Sequence, residues 1–347
     1  GYTFALNVLQ LLILYFTKNY YLYLAIKIFM RILENFVISI IANHKYPYLR
    51  DEHIENLDKA TEKDIFTKVK SLFFHKIGTF FVLGTDNIII SKFLGLVTVG
   101  LYSNYYLIIN AVQTVFGQFI QATTASIGNM LITESKEKCF DIFKKIRFLN
   151  FWIATFSSVC VFVIMDSFVT LWIGKSYILP KVVLLLLSIN LYQNLMRNAY
   201  SSFKEAAGIF FEDRYVPLFE AFINIIVSII FCKLWGLAGV FFGTIISGLM
   251  LWCYSYPRFV YKKIFDGSYK DYIFSTLGYI ICFLVILMIT YSLSKQFYFD
   301  SRYLNFYKNV GISLVIPNII LILIYFRTSH FQYYKNIIFN KGKKKNG

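Results

Sequence analysis

The sequence predicts an all-α integral membrane protein, and three features of its composition support that fold class. Hydrophobic residues make up 57% of the 347-residue chain, and aromatic residues make up 20%. Only 16% of the residues are charged, compared with roughly 25% in soluble domains. The chain has only five prolines, which favours long helices. One water-soluble core could not bury this much apolar surface, so a lipid bilayer is the expected solvent.

Ten apolar stretches define the predicted helices, because about 20 apolar residues cross the hydrocarbon layer. They are 1–17, 20–43, 71–93, 95–130, 148–173, 178–198, 215–234, 237–257, 272–294 and 305–326. The first stretch is barely long enough, and the sequence begins with glycine without a basic leader segment. We therefore expect the chain to be a fragment of a longer protein.

The basic residues predict how these helices are oriented. Five long, charged segments hold 24 of the 35 lysines and arginines, and they alternate with short connections. These segments are 44–70, 131–147, 197–214, 257–271 and 327–347. Positively charged segments stay on the cytoplasmic side of a membrane, so we expect them and the C-terminus in the cytoplasm. This topology explains the net charge of +16, and no basic stretch lies on a soluble domain that could bind nucleic acid.

Three charged residues lie on one face of the predicted helix 20–43. Lys27, Arg31 and Glu34 follow the spacing i, i+4, i+7. An ionised side chain in the middle of a bilayer costs roughly 2.5–3.5 kcal/mol, so none of the three should face lipid alone. Two interpretations remain open. Arg31 and Glu34 form a salt bridge while Lys27 reaches the headgroups, or the surplus positive charge lines a water-filled cavity.

A second polar face runs along the predicted helix 71–93. His75 and Asp86 are eleven residues apart and thus about 20° apart around the helix, with Lys76 and Asn87 beside them. Asp86 is the strongest candidate because it lies deep in the helix with no cation within one turn. The alternative is that Asp86 pairs with a lysine or arginine of another helix and only holds the helices together.

Further polar residues form stripes on three other predicted helices. A seam of small and polar residues in 95–130 is typical of close helix packing or of an aqueous path. The polar cavity candidates on these helices are Asn110, Gln121, Asn190, Asn194 and Asn224, with Arg197 and Glu220 as charged neighbours. A contact between Arg197 and Glu220 is geometrically possible, because both lie toward the cytoplasmic ends of their helices.

The sequence lacks the motifs of several enzyme classes. It contains no H-E-x-x-H spacing, no G-x-x-x-x-G-K-[ST] phosphate-binding loop and no C-x-x-C pair. No metal site and no ATP hydrolysis are therefore predicted. A membrane glycan polymerase would need a sizeable extracytoplasmic loop, whereas every outer connection here is short. These absences favour a transporter over an enzyme.

Two stretches resemble the Wzx-type flippases that export polysaccharide repeat units in bacteria. They are TDNIIISKFLGLVTVGLYSNYYLI (Thr85–Ile108) and GLAGVFFGTIISGLMLWCYSYP (Gly236–Pro257). The first is similar to the seventh helix of that family and the turn into the eighth, and the second to the junction of the eleventh and twelfth. The family belongs to a superfamily of multidrug, oligosaccharidyl-lipid and polysaccharide exporters built from two helix bundles.

The resemblance implies a division of the chain into five parts. Residues 1–43 would be the last two helices of an N-terminal bundle whose first four helices are absent here. Residues 44–70 would be the cytoplasmic linker between bundles. A C-terminal bundle of six helices would cover 71–257, two additional helices 258–327, and a basic cytoplasmic tail 328–347.

The resemblance also implies a substrate, an undecaprenyl-pyrophosphate-linked oligosaccharide that crosses the bacterial cytoplasmic membrane. Lys27, Arg31, Lys76 and Arg197 would bind the pyrophosphate. Glu34, Asp86 and Glu220 would balance these cations or exchange a proton or sodium ion, while the polar residues named above meet the sugars. Besides membrane lipids, the expected partners are a polysaccharide polymerase and a chain-length regulator.

Two other functions stay open. A multidrug exporter on the same scaffold would prefer acidic cavity residues, and the balance of charges here discriminates weakly between the two. A lipid-linked glycan polymerase is the second of these alternative functions.

Overall fold

A computed structural model describes residues 2–50, 58–297 and 299–340. These residues are helical apart from turns and loops, and no β-strand occurs among them, which confirms the all-α fold class. The chain divides into two compact units, Gly1–Lys63 and Asp64–Gly347. The boundary between the units falls inside the predicted 44–70 linker.

The first unit consists of a helical hairpin. It contains α1 (Tyr2–Thr17) and α2 (Tyr20–Lys45), followed by a 3-10 turn at Pro47–Arg50. Asn19 begins α2 as its N-cap, and its side chain accepts hydrogen bonds from the backbone amides of Tyr21 at 2.9 Å and Leu22 at 3.4 Å. Such a cap satisfies amides that have no partner within the helix.

The second unit is a helical assembly, and its first helix begins just before the boundary. Its helices are α3 (Lys59–Leu94), α4 (Leu96–Gln121), α5 (Thr124–Thr133), α6 (Lys136–Trp172), α7 (Lys181–Ala206), α8 (Val216–Trp235), α9 (Leu237–Met250), α10 (Tyr269–Gln296), α11 (Arg302–Tyr325) and α12 (Ser329–Asn340). A π-helix over Leu251–Ile264 continues α9, and it contains Pro257.

The predicted single helix 95–130 is wrong. The structure has two helices there, α4 and α5, separated by a turn at Ala122 and Thr123. Two other helices begin more than ten residues earlier than predicted. The charged residues from Lys59 onward belong to α3, and those from Lys136 onward belong to α6. With 37 residues, α6 is about 55 Å long, which exceeds the thickness of the hydrocarbon layer.

Five helices in the described part of the chain are long and apolar enough to cross a membrane. They are α6, α8, α9 with its π-helical continuation, α10 and α11. The apolar part of α1, Leu6–Thr17, is shorter. The chain therefore has the character of a membrane protein.

Helix α7 lies at the centre of the second unit. It packs against α4, α5, α6 and α9, and its apolar face joins a core rich in buried aromatic rings. Helices α8 and α9 form a close hairpin, in which Gly236 turns the chain with φ +59°. A Cβ at Gly243 would collide with Ser228. The small residues allow α8 and α9 to approach closely beside α7.

Candidate functional site

A cavity of about 610 Å³ lies within the second unit. Its walls come from α3, α4, α7, α8 and α9 with the π-helix that follows, and also from the turn after α7. The cavity therefore opens between helices whose sequences are largely apolar. Its lining includes charged groups of both signs together with several side-chain amides, which makes it a candidate binding site for a polar ligand.

An ion pair between α7 and α8 lies in the wall of this cavity. Arg197 Nη2 donates to Glu220 Oε1 at 2.6 Å, and the side chain of Glu220 is only 5% exposed. A Cβ at Gly248 would collide with the ends of the Gln193 and Arg197 side chains, so this glycine lets α9 approach the pair. The contact that the sequence allowed between Arg197 and Glu220 is thus present.

A second buried ion pair lies about two turns beyond the first along α7. Lys204 donates to Asp213, which belongs to the turn between α7 and α8, and both side chains are buried. The other carboxylate oxygen of Asp213 accepts a hydrogen bond from Ser255 Oγ at 2.8 Å. This arrangement ties the turn to the π-helix at one end of the cavity.

Asp86 lies on α3 in a cluster of neutral oxygens. Thr244 Oγ1 of α9 is 3.2 Å from both carboxylate oxygens of Asp86 and donates to them. Asn224 of α8 donates to Thr244 Oγ1 at 3.3 Å and to Ser247 Oγ at 3.4 Å, while its own carbonyl oxygen is buried without a donor among the described residues. Asp86 is buried, and it has no ion pair in the described part of the chain. The alternative of a salt bridge to another helix is therefore wrong for the described residues.

The cavity brings together seven of the residues that the sequence predicted for a substrate site. They are Lys76, Asp86, Gln121, Asn190, Asn194, Arg197 and Glu220. Asn190 also donates to the carbonyl of Phe241 at 3.2 Å, which fixes its amide against α9. Lys76 is exposed, and no ion pair of this lysine occurs within the described ranges.

The remaining predicted residues lie elsewhere. Lys27, Arg31 and Glu34 belong to the first unit, where Arg31 Nη1 donates to Glu34 Oε2 at 2.5 Å and Lys27 is exposed. Asn87 and Asn110 are exposed and do not line the cavity. Asn224 is fully buried in the cluster around Asp86. The side chain of His75 falls outside the described residues.

Several cavity residues were not recognised in the sequence. Lys204 and Glu205 fall in the charged segment 197–214, which was interpreted as a cytoplasmic connection, although it continues α7. The missed signal was the spacing of Arg197 and Lys204, because seven residues place two side chains on one face of a helix. Gln113 and Asn198 also line the cavity.

Comparisons with known proteins give no match for this chain: no model of a protein family, no curated protein and no solved structure matches it. Within the described ranges, no group of three or more His, Cys, Asp or Glu residues is placed to hold a metal ion. Functional inference therefore rests on the cavity itself.

Proposed function

We propose that this chain belongs to a flippase of the bacterial cytoplasmic membrane. It would move undecaprenyl-pyrophosphate-linked oligosaccharide repeat units from the inner to the outer leaflet for surface polysaccharide synthesis. Ten membrane crossings in two bundles, with the C-terminus in the cytoplasm, are part of this proposal. Transport would proceed by alternating access, in which helices rock around a fixed central site.

The observation that carries the proposal is the polar cavity between apolar helices. Its volume of about 610 Å³ lies within the range of about 300–1,000 Å³ that is typical of ligand sites. Side-chain amides such as Gln121, Asn190 and Asn194 can exchange hydrogen bonds with sugar hydroxyls. A polar glycan cannot cross hydrocarbon unaided, so a hydrated space of this kind is what its passage requires.

The cations of the cavity suit a pyrophosphate in two different ways. Lys76 is exposed and can attract an anion as a point charge. Arg197 and Lys204 are already paired with Glu220 and Asp213, so a phosphate would have to compete with a carboxylate for them. Replacement of a carboxylate by a phosphate at these cations would couple binding of the pyrophosphate headgroup to the packing of α7 against α8.

The cluster around Asp86 supports ion coupling at this site. A buried carboxylate without a cation is costly, and its neighbours offer only oxygen atoms as ligands. A proton or a sodium ion would neutralise Asp86, and a hard cation such as sodium takes oxygen ligands. Because α3, α8 and α9 all contribute to the cluster, binding of the ion would pull these three helices together.

The transport proposal is tested by removing the exposed cation. The full-length protein with Lys76→Gln is expressed in cells that lack their own flippase, and lipid-linked repeat units are located by their accessibility from outside. We expect units to accumulate on the inner leaflet, while the control Lys92→Gln on the exposed side of the same helix exports normally. Normal export by Lys76→Gln at native protein levels would remove this lysine from the mechanism. Single units accumulating outside would instead indicate a polymerase.

Ion coupling is tested separately through Asp86. We expect sodium ions, compared with choline, or protonation to raise the thermal unfolding midpoint of the purified chain, and Asp86→Asn to abolish that response. The control is Asp266→Asn, since Asp266 is exposed and has φ +55°, a conformation that asparagine tolerates. A response that persists in Asp86→Asn would contradict coupling at this residue.

A further inference from the structure

Arg147 of α6 is a buried cation outside the cavity described above. Its exposed fraction is 3%, and it does not line the 610 Å³ space. Its guanidinium carbon lies 4.8 Å from the ring centre of Tyr279, 5.6 Å from that of Tyr261 and 5.9 Å from that of Tyr200. Three tyrosines from three different elements thus enclose one positive charge.

The hydrogen-bonding capacity of Arg147 is mostly unused. Its Nη1 donates to the hydroxyl of Tyr261, whereas Nε and Nη2 are buried without a partner among the described residues. No carboxylate of the described chain pairs with it. Asp141, one and a half turns earlier on α6, is bonded to Lys145 at 2.5 Å, and Asp213 is occupied by Lys204 and Ser255.

A charge in this position requires an anion. Buried ionised groups in proteins are paired with an opposite charge, because leaving water without one is expensive. Contacts with aromatic faces offset part of that cost, but they accept no hydrogen bond in the plane of the guanidinium. Two buried nitrogens with three N–H groups therefore remain without an acceptor, and neutral water molecules would satisfy them without balancing the charge.

Another donor lies beside the same residue. The hydroxyl of Tyr200, whose ring centre is 5.9 Å from the guanidinium carbon, is buried without a hydrogen-bond partner among the described residues. This hydroxyl and the guanidinium together form a set rich in N–H and O–H donors. Such a set is complementary to a small anion and has no carboxylate that would repel one.

We propose that Arg147 and the hydroxyl of Tyr200 bind a small monovalent anion of the chloride type. The low exposure of Arg147 and the surrounding rings favour an ion of this size over a phosphate or a carboxylic acid. The ion joins α6 to α7. The site is separate from the transport cavity and does not depend on the function proposed for that cavity.

The test measures thermal unfolding of the purified full chain in chloride and in gluconate at constant sodium concentration. Unfolding is followed with a thiol-reactive dye that labels the buried Cys139 and Cys232. We expect chloride to raise the midpoint and to saturate. Arg147→Met should fold in gluconate and lose the chloride response. Tyr200→Phe should weaken the apparent affinity about tenfold, since it removes one donor and leaves the charge.

Two controls keep the outcome decisive. Arg258→Met removes an exposed arginine that contacts the rings of Tyr254 and Phe259, and it should keep the native response. Equal midpoints in chloride and gluconate for the native chain, or equal chloride responses in all variants, would overturn the proposal. Stabilisation by phosphate without stabilisation by chloride would overturn it as well. If Arg147→Met does not fold, bromide located by anomalous diffraction decides the question, and its absence at Arg147 would refute the site.

Discussion

Two arginine–glutamate ion pairs with nearly equal N···O distances lie in different environments of this chain. Arg31 and Glu34 meet at 2.5 Å on α2 of the first unit, and the arginine side chain is 69% exposed. Arg197 and Glu220 meet at 2.6 Å between α7 and α8 of the second unit, where the side chains are 19% and 5% exposed. Bond length is therefore not what distinguishes the two pairs.

The two pairs differ in how much free energy they contribute to folding. Helix α2 is not among the five helices that are long and apolar enough to cross a membrane, and a local pair on a helix face that contacts water contributes only about 0.2–0.5 kcal/mol. A buried pair between helices is held in place, and removing one partner leaves the other as an uncompensated charge. The second pair should consequently control both the packing of α7 on α8 and the electrostatics of the cavity.

The largest expected effect is the loss of Arg197. Arg197→Met leaves Glu220 buried without a counter-charge, and we expect a loss of stability of about 3–5 kcal/mol. Chemical denaturation of the purified protein in detergent measures it. The matched variant Arg31→Met should change stability by no more than about 0.5 kcal/mol where this face of α2 contacts water, and a larger loss would place Arg31 in the apolar layer. The double variant Arg197→Met with Glu220→Met should recover most of the loss, and equal losses in both single variants would remove the distinction between the pairs.

Neighbouring residues sharpen the same comparison. Asp213 and Glu212 are adjacent in the turn before α8, but Asp213 is fully buried against Lys204, whereas the side chain of Glu212 is 39% exposed beside Lys263. Asp213→Asn keeps an acceptor for Ser255 and leaves Lys204 uncompensated. We expect it to cost roughly as much as Arg197→Met, about 3–5 kcal/mol, and Glu212→Gln to cost less than about 1 kcal/mol. Recovery of stability on adding Lys204→Met would identify the uncompensated charge as the cause.

Hydropathy and helical periodicity predicted much of this architecture. Apolar stretches located the long helices, and the stripe of Asn190, Asn194 and Arg197 correctly identified one face of α7 as polar. Hydropathy and helical periodicity both depend on residues close in sequence, so they predict the extent and the polar face of a single helix. They also made the contact between Arg197 and Glu220 geometrically possible, since the predicted helices 178–198 and 215–234 have these residues near the two ends that one connection joins.

Other features could not be predicted because they depend on tertiary packing. No glycine or proline marks the break at Ala122 and Thr123, so the end of α4 had no local signal. Lys204 and Arg147 lie in charged segments that resemble loops, yet helix extension and neighbouring rings bury both. The residue type alone therefore does not predict whether a charged side chain at the end of an apolar stretch is exposed to water or buried in the core.

The smallest effect concerns acid titration of the exposed pair. A hydrogen bond from Lys263 holds the pKa of Glu212 below its usual value of 4.5. A carboxyl whose pKa is lower in the folded than in the unfolded chain stabilises the fold above the unfolded pKa, and that stabilisation is lost as pH falls through the folded pKa. The stability difference between the native chain and Glu212→Gln should thus be present at pH 6 and disappear in acid below pH 4.5, with a magnitude under about 1 kcal/mol.

Sodium gluconate at high concentration should reduce this stability difference at pH 6 by screening the ion pair. A difference that is insensitive to salt and to acid would mean that Glu212 acts through packing, and the contrast with Asp213 would then not be one of charge burial.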